Sequence, residues 1–170
     1  VLRYQSQNRK SCNSRPAELA KRVTYHRDHC AMIKIAIIGT AGRGEDRAKL
    51  NRASFPSMVA ETARVVAKIS GGAPWGAISG GSAWADHVAV ALFLQGNARS
   101  LDLHFPCEFT PMGFHDNGFR GPASWRTNPG ATLNGHFRYF AELSGRDPFA
   151  ELQQAMAKPG CTVRITPGLF

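Results

Sequence analysis

The feature that most constrains the fold is a repeated order of apolar run, glycine-rich turn and helical pattern. Residues 33–38 (IKIAII) are rich in β-branched side chains and end at Gly39, which predicts a short strand buried on both faces of a sheet. Apolar residues then recur at helical spacing over about 55–69, between Ser54 and the Gly71-Gly72 pair. Strands that alternate with helices imply right-handed crossovers and a parallel sheet.

The rest of the chain continues this pattern. Ser82 is a predicted N-cap, and the Asp147-Pro148 pair is typical of a helix start. The periodicity predicts helices over about 82–96, before Gly145 and after Asp147, strands at 77–79, 101–105 and 162–166, and a long loop or insertion at 106–132. The predicted class is α/β, a Rossmann-like three-layer domain with a mostly parallel sheet.

Composition excludes several classes of protein. Of 170 residues, 43% are hydrophobic and 19% are charged, so the chain has globular rather than disordered composition. No apolar run approaches the ~20 residues that span a bilayer, which predicts no membrane contact. The four cysteines lack repeated short spacings, and scattered cysteines favour reduced thiols and a cytoplasmic location.

Basic charge is concentrated at the start of the chain. Residues 1–31 carry +5 of the formal net charge of +9 and show no sustained period. We predict a basic, disordered extension there, followed by a single domain over 32–170. His26, His29, Cys30 and Cys12 are zinc ligands by type, but their spacing matches no standard site, so we predict no metal.

Two strand-to-helix turns are candidate anion sites. Backbone N–H groups at the start of a helix, with the positive end of its dipole behind them, favour phosphate. The sequence is neither the dinucleotide fingerprint nor a P-loop, which disfavours both protein classes, and glycine also serves simple tight turns. The predicted ligand-binding residues are Gly39, Thr40, Gly42, Arg43 and Gly44 in the first turn, and Gly80, Gly81, Ser82, Trp84 and Asp86 in the second.

The second turn carries a family resemblance. Residues 80–89 (GGSAWADHVA) resemble the G-G-x-x-G-A-D-x-x-A segment of the SLOG superfamily, which includes DprA-like, YspA-like and LOG-type Rossmannoid proteins. Gly39-Thr40 and Arg43 resemble the family's opening loop, and the resemblance covers roughly residues 32–106. It implies a nucleotide or nucleic-acid phosphate at the second turn and assembly into homo-oligomers. Trp84 replaces a small residue and offers a ring for base stacking, and the glutamate-bearing phosphate motif of LOG-type phosphoribohydrolases is absent.

Several polar residues remain as alternatives. Glu45, Asp46 and Glu108 are the candidate carboxylates for cleavage of an N-glycosidic bond. Asp86 is equally consistent with ligand contact and with stabilising its helix by the dipole. We expect His87 on the surface and His104 in the core. Basic and aromatic side chains interleave in the long loop and the next helix, at Arg120, Arg126, Arg138, Phe119, Trp125 and Tyr139, as nucleic-acid contacts or as a solvated edge.

These observations predict a protein that binds a nucleotide or nucleotide-derived ligand through its two glycine turns, with no separate cofactor. One alternative is a hydrolase or transferase acting on the N-glycosidic bond of nucleoside monophosphates. Another is a DprA-like binder of single-stranded nucleic acid. A domain that assembles without a ligand is the remaining possibility.

We expect a chain that begins at Met32 to keep the fold, because residues 1–31 lack the periodicity of a packed element. Circular dichroism and thermal unfolding of the shortened and full chains check this prediction. Loss of folded protein on truncation would contradict it.

Overall fold

The computed structural model describes residues 32–167. In that part, strands and helices alternate through residue 105 as the sequence predicts. The strands are β1 (Ile33–Ala36), β2 (Trp75–Ser79), β3 (Ser100–Phe105), β4 (Phe109–Thr110), β5 (Gly113–Phe114) and β6 (Cys161–Ile165). The helices are α1 (Ser54–Ser70), α2 (Ala85–Leu94), α3 (Pro129–Ser144) and α4 (Pro148–Ala157), and a short 3-10 helix, Gly44–Lys49, precedes α1. The predicted extension over residues 1–31, with its histidines and cysteines, lies outside the described residues.

The predicted helix ends at glycine and at Asp147 are confirmed. Gly71 ends α1 in the left-handed conformation, and Gly145 ends α3 in the same way. The Asp147 side chain accepts hydrogen bonds from the Phe149 and Ala150 N–H groups at the start of α4. Local capping chemistry therefore fixes these boundaries without help from the tertiary structure.

The main sheet is parallel throughout, in the order β1-β2-β3-β6. This order follows the chain, and right-handed crossovers between successive neighbours place every connecting helix on the same face. Burial agrees, since Leu101, Leu103 and Phe105 face the core while the intervening β3 residues are only partly buried. The predicted α/β class with a parallel sheet is confirmed.

The prediction of three layers is wrong for the part of the chain that the structure describes. Residues 32–167 place helices on one sheet face, so the opposite face is covered by no described element. Polar side chains line it: Lys34 Nζ donates to Ser100 Oγ at 2.9 Å and to Asp102 Oδ2 at 2.8 Å, and Thr162 Oγ1 donates to Asp102 Oδ1 at 2.6 Å. Burial of the first strand on both faces is likewise wrong, because Lys34 is on this open face.

Helix α2 is the centre of the helical layer. It contacts both α1 and α4, and eight of its ten residues are buried. A helix covered on several sides is apolar all round. His87 is consequently fully buried rather than on the surface as predicted, with its Nε2 2.8 Å from Glu151 Oε2. Burial lowers the pKa of His87, against the attraction of the Glu151 carboxylate.

The predicted long loop is held in place by α3. Its first part forms the β4–β5 hairpin, and Asn134 binds both the N–H and the C=O of Phe114. Asn128 caps α3 by accepting from the Ala131 N–H, and its side-chain amide donates to Asp116 at 2.6 Å. The loop beyond β3 is therefore anchored to the core at both ends, and it extends back towards the first glycine turn.

We predict that Phe140→Ala lowers the free energy of unfolding by about 3–5 kcal/mol. Phe140 is fully buried, and its ring meets those of Phe55, Trp84 and His87 at centroid distances of 4.8–5.2 Å. Urea unfolding measures the change. Arg138→Ala, at an exposed position on the same helix, is the control and stays within about 0.5 kcal/mol of the parent. Equal effects of the two substitutions would contradict the packing.

Candidate functional site

The two glycine turns meet around one cavity. It has a volume of about 300 Å³ and lies beyond the carboxyl ends of β1 and β2, at the N-terminus of α2. A volume of this size is at the lower end of the range for small-molecule sites. Its lining consists of Gly39, Ala41, Arg43, Gly80, Ser82, Asp86 and Trp125. Of the ten predicted ligand-binding residues, the structure brings five together here: Gly39, Arg43, Gly80, Ser82 and Asp86.

Thr40 joins the two turns instead of lining the cavity. Its carbonyl accepts a hydrogen bond from the Ala85 N–H at 3.1 Å, and its hydroxyl accepts from the Gly42 N–H at 3.1 Å. The first bond links the β1 turn directly to the start of α2. Thr40 therefore sets the relative position of the turns.

Trp84 is in the core and is not a stacking platform. Its side chain is fully buried and meets Phe140 edge-on at a centroid distance of 5.0 Å. The indole packs against Gly42, where an added Cβ would be 2.7 Å from Trp84 Nε1. Trp84 has a φ of 58°, which is strained for a residue with a side chain. The prediction that its ring faces a ligand is wrong, because the ring packs in the core and does not line the cavity.

Gly81 has a structural role. Its φ is 67°, and a Cβ there would be 2.1 Å from the ring of Phe105. Its N–H donates to Ser79 Oγ at 3.0 Å, and Ser79 Oγ donates in turn to the Asp86 carbonyl at 2.8 Å. Gly81 allows β2 to pass over Phe105 before α2 begins. Gly42 packs under the cavity in a similar way, and Gly44 is exposed at the start of the 3-10 helix.

Ser82 lines the cavity and has a buried hydroxyl without a hydrogen-bond partner among the described residues. The residue is only 6% exposed. The prediction that Ser82 caps α2 is wrong, since the helix begins three residues later, at Ala85, with Trp84 at the cap position. A buried hydroxyl without a partner is costly, by about 1–3 kcal/mol. Its position favours a ligand that supplies the missing bond.

Arg43 and Asp86 are the charged groups that line the cavity. Burial raises the pKa of Asp86 to about 6, against the opposing effects of the Ser82 N–H, which donates to Asp86 Oδ2 at 3.4 Å, and of the Arg43 charge. Asp86 therefore changes charge near neutral pH. Asp86 lines the cavity and also lies in the first turn of α2. Its position is therefore compatible with both predicted roles, ligand contact and stabilisation of the helix by its dipole.

Trp125 forms the aromatic wall. The Arg43 guanidinium lies over its ring at 5.4 Å from the centroid, and His136 of α3 meets the ring at 5.4 Å. The sequence analysis weighed Trp125 only as part of a basic and aromatic loop. The basic and aromatic composition of this loop was the one sequence signal for a binding role of Trp125. The sequence could not indicate that the loop folds back against the first glycine turn.

The three candidate catalytic carboxylates are elsewhere. Glu45 and Asp46 are exposed on the 3-10 helix, and Glu108 is exposed just after β3. None of them lines the cavity. His104 is only partly buried, on the open face of the sheet, and not in the core as predicted.

A second depression, of about 420 Å³, lies near Trp75 at the start of β2. It is bordered by small side chains of α1 and by Asn97 and Arg99. No unpartnered buried polar side-chain atom lines it among residues 32–167. The cavity between the glycine turns is therefore the stronger candidate site.

The described part of the chain shows neither a metal-binding cluster nor a membrane-spanning helix. Residues 32–167 contain no group of three or more histidine, cysteine, aspartate or glutamate side chains placed to hold a metal ion. Across the same residues, no helix combines the length and the apolar character needed to cross a membrane. Cys107 and Cys161 are both free thiols.

The fold and the cavity define an α/β protein with a parallel sheet and a ligand-sized cavity between two glycine turns. No family model and no solved structure matches the chain. The chain is 31% identical over 147 residues to uncharacterized protein R261 of Acanthamoeba polyphaga mimivirus, across 81% of this chain and 72% of that protein. The chain belongs to the same family as this mimivirus protein.

We predict that Gly81→Ala destabilises the fold by about 2–5 kcal/mol, since it combines a positive φ with overlap on Phe105. Gly44→Ala is the matched control: Gly44 also has a positive φ, of 56°, but nothing lies within 4 Å of the added Cβ. It costs about 1–2 kcal/mol. Chemical denaturation of both variants gives the difference, and equal losses would show that the Phe105 contact contributes nothing.

Proposed function

We propose that this protein binds a nucleotide or nucleotide-derived ligand, with a phosphate group in the cavity between the glycine turns. The observation that carries the proposal is Ser82, a residue of the cavity lining whose hydroxyl is buried and has no partner among the described residues. Arg43 lines the same cavity, and α2 begins three residues after Ser82, with the positive end of its dipole at that terminus. Together they supply the donor and the charge that stabilise a phosphate oxygen.

The aromatic wall supports a ligand with a ring. Trp125 borders the same cavity as Ser82, so a ligand with a phosphate at Ser82 could pack its ring system against this side chain. Stacking of a base on an aromatic side chain contributes about 1–3 kcal/mol. We infer from the residues 80–89 that the domain is a SLOG-like Rossmannoid, and the position of the cavity at both turns is consistent with that inference.

A second candidate is binding of single-stranded nucleic acid. On the 3-10 helix that follows the first turn, Arg47 lies over the Tyr139 ring at 4.2 Å, and the Tyr139 hydroxyl donates to the Arg47 carbonyl. With Arg43 over Trp125, this makes two neighbouring arginine–aromatic pairs. Such pairs suit backbone phosphates and stacked bases. Binding to an oligonucleotide would then fall steeply as salt rises.

Hydrolysis of an N-glycosidic bond is less favoured than binding. It requires a carboxylate near the sugar, and Glu45, Asp46 and Glu108 are all outside the cavity lining. Asp86 is the carboxylate that the described residues place inside. If the reaction occurs, Asp86 is its candidate. Location in the cytoplasm and assembly into homo-oligomers remain predictions.

The test is a binding panel on the full chain with nucleoside monophosphates, ADP-ribose, NAD and a short single-stranded oligonucleotide at two salt concentrations. Thermal shift identifies the ligand, because saturation at one hundred times Kd adds about 2.7 kcal/mol of stability. Calorimetry then gives Kd, and chromatography of the same samples detects any free base. Release of base would move the protein to the hydrolase class.

We expect Ser82→Ala to weaken nucleotide binding by about ten- to one hundred-fold, the effect of one hydrogen bond to a charged group. Its melting temperature should not fall, because no described residue bonds the hydroxyl. Arg43→Gln should weaken binding similarly, whereas Arg64→Gln, at an exposed position on α1, is the matched control. Unchanged affinity in both Ser82→Ala and Arg43→Gln would refute the site.

A further inference from the structure

We propose that the cavity takes up an anionic ligand group together with a proton, which Asp86 carries. The inference rests on the proposed function and concerns how the same site is controlled. Asp86 would be a specificity-determining residue: it sets the pH at which a phosphate can enter and the charge form of the occupied site.

The geometry places the carboxylate where an incoming anion would be. Asp86 Oδ2 accepts from the Ser82 N–H at 3.4 Å, a long hydrogen bond, and the Ser82 hydroxyl is unpartnered in the same wall. A phosphate that binds Ser82 therefore meets the Asp86 carboxylate at close range. Two anionic groups at one site disfavour each other, and protonation of one removes the repulsion.

Among the groups around Asp86, one positive charge, that of Arg43, is available both to the Asp86 carboxylate and to a bound anion. Arg43, from the first turn, is the charged group that acts on Asp86, and Ser82 is its hydrogen-bonding neighbour on the second turn. Trp125 of the loop is uncharged. On the α3 side, burial and then the Arg43 charge lower the pKa of His136. A ligand phosphate that engages Arg43 withdraws the counter-charge from Asp86.

The direction of the effect follows. Burial already raises the pKa of Asp86 to about 6. A bound anion raises this pKa further, so the protein takes up a proton on binding. Affinity is then highest at low pH and falls as pH rises above about 6, by as much as tenfold per unit.

Two ligands separate this effect from titration of the ligand itself. A phosphate monoester has its own pKa near 6, whereas sulfate keeps its charge across this range. Titration calorimetry with sodium sulfate and with the nucleotide selected by the panel, at pH 6.5 and 7.5, gives Kd for both. Both pH values lie at or above the usual pKa of histidine, which limits the contribution of His136. Repetition in two buffers of different ionisation enthalpy counts the protons taken up.

For the parent we expect sulfate binding up to tenfold weaker at pH 7.5 than at pH 6.5, with net proton uptake. Asp86→Asn should bind sulfate equally at both values, without proton uptake, and more tightly than the parent at pH 7.5. Glu142→Gln, which makes the same change on an exposed part of α3, should behave like the parent.

Two results overturn the proposal: pH-independent sulfate binding by the parent, or weaker binding by Asp86→Asn at both pH values. The second would assign Asp86 to a ligand hydroxyl. Failure of nucleotide and sulfate to bind the parent and Asp86→Asn at either pH would instead refute the proposed function. Circular dichroism of Asp86→Asn confirms that the comparison uses folded protein.

Discussion

The contact between Trp84 and Gly42 is the constraint on which the candidate site depends. It presses the turn after β2 against the turn after β1, and the hydrogen bond from the Ala85 N–H to the Thr40 carbonyl holds them in register. The strained φ of Trp84 costs about 1–3 kcal/mol, which complete burial of a large aromatic side chain offsets. Without this packing, the two turns would be separate loops and no shared cavity would form.

The second determinant is the order of the strands. A doubly wound sheet reverses its order at a switch point, and ligands bind in the crevice there. The described sheet runs β1-β2-β3-β6 without a reversal, so its helices share one face. Here the loop after β3 forms one wall of the cavity instead, because it places the Trp125 ring under the Arg43 guanidinium. The open sheet face tolerates water because Lys34, Asp102 and Thr162 bond one another there.

The site itself combines unsatisfied and competing groups. Ser82 has a donor without an acceptor, and Asp86 has a carboxylate held in a buried position where charge is disfavoured. Protein interiors satisfy most buried polar groups internally, and the proposed ligand would supply a partner for Ser82. The Arg43 charge acts on Asp86, and Arg43 lines the same cavity.

The sequence by itself determined the α/β class, the element order up to β3, the caps at Gly71 and Asp147, and the two turns as the place to look. These features depend on local periodicity, backbone conformation and hydrogen bonds within a few residues. The tertiary structure decided which turn residues line the cavity. It buries Trp84 and His87 in the core and packs Gly81 against the Phe105 ring. It also exposes Glu45 and Asp46 to solvent and brings Trp125 into the cavity lining. Those outcomes depend on contacts between residues distant in the chain, and a sequence pattern records spacing along the chain but not which face packs against a remote partner.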